Sequence, residues 1–427
     1  MADIGEKARS AEGHAAVGGM GGHDDRWIVI QKTTFTNWVN EQLQVRELSV
    51  SDLKTDLGDG VKLGNLVEII QSRKIGRIVK KPLNQHHYIQ NVTLALNAVS
   101  EDGVKLVNIG SEDIVNGNLK LILGLIWHLI LRYQIGKTKF PPKKLMLSWL
   151  QAVIPECNIR NFSSDWNDGI ALSALLEYCK PGLFTNWRNL PRYEGSDEDR
   201  AYQIRLENCR NAMDVAKKEF GIPMVLRPED LANPDLDDLS GMTYLSYFMM
   251  VDSPGYHATL RDTNKLVGSQ LVNNFQSDWA DGSVLCKIVT AAGGQVPGGD
   301  DDSVTLTQKG IDAAKRLGVE PVLKAEEMTD PEVEHLGVMA YAARLSELKP
   351  VAMNNDEKVT IKTDLKLACV GKPTKYKLEI LSDDVNFSDV TTEVQGPSGK
   401  LPTEVTWNGM VGEGTFTPSE IGQHSIF

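Results

Sequence analysis

The sequence predicts a multi-domain protein in which three all-helical domains are followed by an incomplete all-β sandwich. Three observations carry that prediction. A five-residue signature recurs as Asp56-Leu57-Gly58-Asp59-Gly60, Asp165-Trp166-Asn167-Asp168-Gly169 and Asp278-Trp279-Ala280-Asp281-Gly282, the copies starting 109 and 113 residues apart. A second anchor recurs without a gap from Ser111, Pro228 and Ala325, setting Asn116, Asn233 and Asp330 in one column and Trp127, Tyr244 and Tyr341 in another. After Leu348 the pattern changes to short alternating β-branched runs separated by Gly- and Pro-rich turns. Repeats this long are whole domains, since solenoid units run roughly 20–50 residues. A chain of 427 residues has room for about three or four of them.

Residues 1–25, MADIGEKARSAEGHAAVGGMGGHDD, are Gly-rich and lack a signal-peptide core, which predicts a disordered arm. The first domain, 26–136, opens on a helix with an apolar stripe of Ile28, Phe35, Trp38, Val39 and Leu43 and a polar face of Gln31, Lys32, Thr34, Asn37 and Glu41. Each pentad precedes an apolar helical run (VKLGNLVEII, IALSALLEYC, SVLCKIVTAA), and Asp168 and its equivalents are placed to cap that helix. Asn116, Asn233 and Asp330 are expected N-caps of the dense apolar helix that forms each core, with Gly117, Pro234 and Pro331 following them. A linker at 137–144, stiffened by prolines, leads to the second domain at 145–252. The third domain spans 258–348, a second linker 349–357, and the sandwich 358–427. About 70 residues is short of the ~100 typical of such a sandwich, so a final strand is expected to be missing.

Composition narrows the function. With 41% apolar residues the chain builds proper cores, yet no run of about 18 apolar residues occurs, so no membrane-spanning helix is expected. Five scattered cysteines without a CxxC pair point to reduced thiols and a cytoplasmic setting. The net charge of −12 argues against general nucleic-acid binding, but residues 26–139, the first domain and the start of its linker, carry +5. One basic module on an acidic chain suggests a specific acidic partner.

The pentads invite a metal or catalytic reading, and both fail. An EF-hand loop needs Gly at its sixth position and Glu at its twelfth, whereas from Asp165 the Gly comes fifth and Leu176 twelfth. No Walker loop, GxSxG or HExxH occurs, and the eight histidines show no ligand spacing. No metal, cofactor or catalytic residue is expected, and the chain is read as a non-enzyme. The strongest interaction signal is QSRKIGRIVKKP, residues 71–82, where Arg73, Lys74, Arg77, Lys80 and Lys81 stand without an acid among them.

IQKTTFTNWVNEQL, DLGDGVKLGNLVEI and IVNGNLKLILGLIWHLILRY resemble the type-1 calponin-homology domain, while LMLSWLQAVIP and DWNDGIALSALLEY resemble type 2. The tail's EVQGPSGK and GTFTPSEIGQHSIF resemble the immunoglobulin-like repeat of the filamins, and the chain as a whole is similar to a filamin N-terminal region with one calponin-homology-like copy added. The resemblance implies an F-actin-binding and cross-linking protein of the cortical actin cytoskeleton. Carried over position by position, the implied actin surface is Trp27, Gln31, Lys32, Thr34, Lys74, Arg77, Lys80, Lys81, Asn116, Asn118, Lys120 and Ile122. It further implies that Trp127 packs against the second domain in a compact form, and that Lys143 and Lys144 meet phosphoinositide. Dimerisation is expected only with a longer rod. The alternatives are an α-actinin- or spectrin-like linker, and a signalling adaptor that binds phosphoinositide or calmodulin.

Overall fold

The computed structural model describes residues 25–136, 140–268, 270–299, 301–348, 359–362, 368–381, 390–421 and 424–426. The expected arm up to residue 24, the 349–357 linker and residues 137–139 lie outside them. The helical residues form one compact unit and the strands a second.

In the first repeat, α1 (Arg26–Leu43), α2 (Leu53–Asp56), α3 (Val61–Ile70), α4 (Gln85–Glu101), α5 (Ser111–Val115) and α6 (Leu119–Ile130) follow in order. The second repeat has α7 (Pro142–Val153), α8 (Ile170–Cys179), α9 (Glu198–Phe220), α10 (Pro228–Leu231) and α11 (Asp238–Ser246). The third has α12 (Pro254–Val267), α13 (Ser283–Ala291), α14 (Ser303–Arg316), α15 (Ala325–Met328) and α16 (His335–Leu345). Its opening helix starts before residue 258, because Ser253 Oγ accepts the Tyr256 N–H and Pro254 takes the first helical position.

The pentads build the same corner three times. The first aspartate (Asp56, Asp165, Asp278) accepts the N–H of Ser51, Arg160 or Asn273 at 2.7 Å, pulling in the chain that leaves the opening helix. The second (Asp59, Asp168, Asp281) accepts the N–H of Val61, Ile170 or Ser283 at 2.9, 2.9 and 2.8 Å. Leu57, Trp166 and Trp279 are fully buried between these two turns. The helix cap itself is the glycine, at φ +73°, +72° and +78°, so the aspartate supports the cap from one position earlier than expected. A Cβ there would lie 2.5 Å from Asn91 Cβ in the first repeat, 2.7 Å from the Cys209 nitrogen in the second and 2.5 Å from Thr307 Oγ1 in the third. Conformation and close approach both require glycine.

The second anchor is displaced from expectation. The N-cap positions of the central helices are Asn118, Asp237 and Glu334, not Asn116, Asn233 and Asp330; Asn118 and Asp237 accept helix N–H groups through their side chains, and Glu334 makes no side-chain cap bond. Asn233 and Asp330 each accept the N–H two residues on at 2.9 Å, and Asn116 ends α5, so this column marks the turn before the helix.

The opening helices also join the repeats. α1 packs on its own α3 and α6 and on α11 of the second repeat. α7 lies along α16 of the third repeat, the most extensive helix–helix packing among the described residues. α16 carries Gly337, Ala340, Ala342 and Ala343 and is buried nearly all round, as a helix apolar on every face must be. α12 in turn touches α8. A buried hydrogen bond from Trp149 Nε1 to Thr259 Oγ1 at 2.9 Å closes this second seam, and at its edge Arg261 donates to the carbonyls of Tyr178 and Cys179 at 2.9 and 3.2 Å. His335 Nε2 donates to the Met249 carbonyl at 2.6 Å.

The strand unit holds a four-stranded antiparallel sheet in the order β1 (Val359–Lys362), β2 (Thr374–Ile380), β6 (Val411–Phe416), β5 (Glu404–Asn408). A three-stranded sheet runs β4 (Gly399–Leu401), β3 (Val394–Gly396), β7 (Ser425–Ile426). Tyr376, Leu378, Val394 and Phe416, drawn from both sheets, form their shared core. β2 alternates buried and exposed residues as a sheet with one solvated face must.

Two predictions follow from this geometry. Gly169→Ala should lower stability by at least ~2 kcal/mol in urea unfolding, since left-handed strain and overpacking act together. Burial holds His335 below the ordinary histidine value of 6.5, outweighing its hydrogen bond to Met249 and the Glu334 charge, so it is neutral when folded. The unfolded chain therefore binds the extra proton, and the stability His335 contributes is complete above pH 6.5 and is lost as pH falls below it. Thermal unfolding from pH 7.5 to 5 should show the protein losing up to ~1.4 kcal/mol per pH unit relative to His335→Gln.

Candidate functional site

The basic stretch 71–82 has no regular secondary structure, yet both ends of it are fixed. Glu68, a buried carboxylate on α3, receives Lys74 Nζ at 2.9 Å, Arg46 at 2.8 Å and the Ile75 N–H at 3.3 Å. Burial pushes this carboxyl up, but the hydrogen bonds from Lys74 and Arg46 more than compensate and hold it below its usual range. Further on, the buried Asn91 amide clasps Val79 through both its N–H (2.8 Å) and its carbonyl (3.0 Å), and also donates to the Asp59 carbonyl. Ile78 packs over Gly64, where a Cβ would come within 2.8 Å of its Cδ1. With the isoleucines turned inward, Arg77, Lys80 and Lys81 are left exposed, beside Leu83 at 83% exposure.

The five cations of this stretch therefore divide. Arg73 pairs with Glu101 at 3.6 Å and Lys74 with Glu68, so both are used internally. Arg77, Lys80 and Lys81 have no ion pair or side-chain hydrogen bond among the described residues, and neither does Lys120 on α6. Asn116, Asn118 and Lys120 are all exposed at the entry to α6, with Asn118 Oδ1 facing the Leu121 N–H at 3.5 Å. The pentad joins this turn to the basic stretch: Gly58 abuts the Val115 carbonyl and Asp59 meets Asn91, which holds Val79.

The α1 residues fare differently. Trp27 is half-buried and Lys32 pairs with Asp52 at 2.8 Å. Gln31 and Thr34 are 1% and 0% exposed. Trp27, Gln31 and Thr34 share one helical face, and that is the side on which the second repeat packs. Gln31 Nε2 donates to Asp237 Oδ1 at 2.9 Å, Asn37 to the Val225 carbonyl at 3.0 Å and Gln134 to Met250 Sδ at 2.9 Å. Ile122 is 0% exposed in the first-repeat core, which corrects the expectation of a surface contact there. Trp127 stacks on Phe35 of its own repeat (centroids 6.2 Å, planes 4° apart), and the side-chain bonds to the second repeat come from Gln31, Asn37 and Gln134 instead. Lys143 forms an ion pair with Asp238, which also accepts the Phe162 N–H, while Lys144 is exposed.

The seam between the first two repeats is imperfectly paired. Gln31 Oε1, Thr34 Oγ1 and Trp38 Nε1 are buried with no hydrogen-bond partner among the described residues. Leaving such atoms unpaired costs about 1–3 kcal/mol each. Asp237 keeps some exposed area, but both its oxygens are turned inward, onto Gln31 and Ser240. Burial raises its carboxyl above the usual range, only partly offset by the hydrogen bonds from Ser240 and Gln31. Sequence missed Asp237, whose column holds Lys120 in the first repeat and Glu334 in the third, because the seam pairs residues 206 positions apart. Among the described residues no three His, Cys, Asp or Glu side chains converge to hold a metal, and no helix is long and apolar enough to cross a membrane.

The calponin homology (CH) domain model matches residues 29–135, 140–253 and 260–350. The chain belongs to the calponin-homology family. Filamin-A of Drosophila melanogaster is 38% identical over 238 residues, covering 53% of this chain and 10% of that protein. Filamin-C of Rattus norvegicus is 40% identical over 237 residues, covering 53% of this chain and 8% of its own length. The chain thus spans about a tenth of the length of these curated relatives. The solved actin-crosslinking core of Schizosaccharomyces pombe fimbrin aligns over 74% of each chain at 21% identity, with a TM-score of 0.40. In calponin-homology terms, the three matched segments are the three repeats described above, and the unpaired cations belong to the first.

The Asp237 shift gives a pH test. A raised folded value means that the closed seam takes up a proton, so the penalty of burying Asp237 is relieved as pH falls through that value. Asp237→Asn should remove this dependence. The variant should gain stability over the parent at pH 7.5 and lose that advantage progressively as pH falls toward the ordinary carboxyl value of 3.8 in chemical unfolding.

Proposed function

We propose that this chain binds the side of actin filaments through its first calponin-homology domain and acts in actin cross-linking, as a binding protein and not an enzyme. The observation that carries the reading is the set of exposed, unpaired cations Arg77, Lys80, Lys81 and Lys120 on the most basic of the three domains. Glu68 and Asn91 already fix the backbone beneath the first three, so binding an acidic filament surface costs little ordering of that loop. Asn116 and Asn118 add exposed amides for specificity. The similarity to filamins supports this assignment.

Gln31 and Thr34 belong to the same proposed surface and are covered by the second domain, so full engagement requires that domain to move off α1. The unpaired polar atoms in that seam favour such a release. We read the two-sheet unit as part of an immunoglobulin-like repeat of filamin type, and place the protein at the cortical actin cytoskeleton. Cross-linking two filaments requires two such heads in one assembly. Lys143 is engaged by Asp238, which leaves Lys144 as the cation of that pair available to a phosphoinositide.

Co-sedimentation with F-actin across a salt series tests the reading. The full chain should pellet with a Kd on the order of micromolar at low salt and weaken as salt screens the cations. Lys80→Glu with Lys81→Glu should raise Kd about tenfold or more while leaving stability within about 0.5 kcal/mol of the parent. A chain that stays in the supernatant at low salt would sink the proposal.

A further inference from the structure

We propose that the third calponin-homology domain is a brace that holds the second domain against α1, and so controls how much of the filament-binding face is exposed. This rests on the reading above that α1 and the basic stretch take the filament. The brace reaches α1 through a short chain of contacts. α16 lies along α7. Lys143 at the start of α7 pairs with Asp238 at the start of α11. The adjacent Asp237 accepts Gln31 of α1. Three consecutive contacts therefore connect the third domain to the covered face.

A second route runs along the end of the first domain. Gly136 has φ +131°, and a Cβ on it would lie 3.2 Å from Glu334 Oε2, so the first domain leaves its last turn directly against the third. Two residues earlier, Gln134 donates to Met250 Sδ, and the neighbouring Met249 carbonyl accepts from His335. The last turn of the first domain, the junction after α11 and the start of α16 thus meet at one place.

The two seams differ in quality, and that difference assigns the roles. Between the second and third domains, Trp149, Tyr178, Thr259, Arg261 and His335 all find hydrogen-bond partners. On α7 itself only Ser148 Oγ is buried without a partner, whereas between the first and second domains three buried polar atoms find none among the described residues. A more extensively packed seam with fewer unpaired polar atoms, beside one with more, makes the first domain the part that detaches more readily. Because α7 is gripped by α16 and the third domain also meets the last turn of the first at Gly136, the second domain cannot turn away from α1 without either loosening from α16 or breaking that contact.

The test weakens the third domain's grip at Arg261 and His335, neither of which is a proposed filament contact. Thr34→Cys places a thiol in the covered face, and its rate of maleimide modification in the full chain reports how often the first seam opens. In this background, Arg261→Ala with His335→Leu should raise that rate about tenfold, while the buried Cys209 thiol stays unreactive as an internal check on folding. Without the thiol, the same double variant should bind F-actin at least threefold more tightly than the parent. An unchanged modification rate in a folded double variant overturns the brace. If Cys209 also becomes reactive, Arg261→Ala alone decides by the same two readings. A parent chain that fails to pellet overturns the actin reading and leaves the thiol rates to decide the brace on their own.

Discussion

Each calponin-homology domain rests on one close approach, in which a glycine at positive φ sits directly on the backbone of the long helix that follows. Gly60 meets Asn91, Gly169 meets Asn208 and Cys209, and Gly282 meets Thr307. Any side chain at the glycine would push the long helix away and open the core around Leu57, Trp166 or Trp279. What each domain does with the residue beneath the glycine differs. Asn91 clasps Val79 and so shapes the basic stretch, and Asn208 donates to the Pro191 carbonyl in the second domain. The third domain has Thr307 there, and its Oγ1 holds no partner among the described residues. A packing constraint shared by all three domains thus becomes a loop-positioning device in two of them.

The opening helices give the chain its higher order. α1 leans on α11 and α7 leans on α16, so each of the first two domains lends a face of its first helix to the core helix of the next. A helix used in this way is buried on more than one side, which explains why Gln31, Thr34 and Ser148 are inaccessible despite their polarity. The two seams differ in how well they satisfy such groups. Well-paired buried polar groups rigidify, whereas unpaired ones are a standing cost that separation removes. The joint between the second and third domains, where only Ser148 Oγ on α7 is left unpaired among the described residues, is packed more extensively than the one at the surface where binding is proposed.

Charge follows the same logic of prior commitment. Five cations in 71–82 look equivalent in the sequence, but Glu68 claims Lys74 and Glu101 faces Arg73. A buried carboxylate with two cationic partners and a backbone N–H is a structural element. The cations that remain unpaired are the ones able to interact outward without first breaking an internal contact.

Much of this was legible in the sequence, because it depends on residues close together or on a repeated pattern. The pentad spacing revealed a repeated helical unit, the change of periodicity after Leu348 revealed strands, and the cluster at 71–82 marked the basic stretch. Local hydrogen-bond chemistry was legible only approximately. Asn116, Asn233 and Asp330 looked like helix caps, yet Asn118 and Asp237 take that role in the first two repeats, because a turn and a cap favour the same short polar side chains. The sequence by itself determined the elements and their apolar faces, since periodicity encodes which side of a helix must leave water. Only the tertiary structure decided that Ile122 is core, that Gln31 and Thr34 lie under the second domain, and that the third domain grips α7. Those outcomes depend on pairings between residues up to hundreds of positions apart, which no local pattern records.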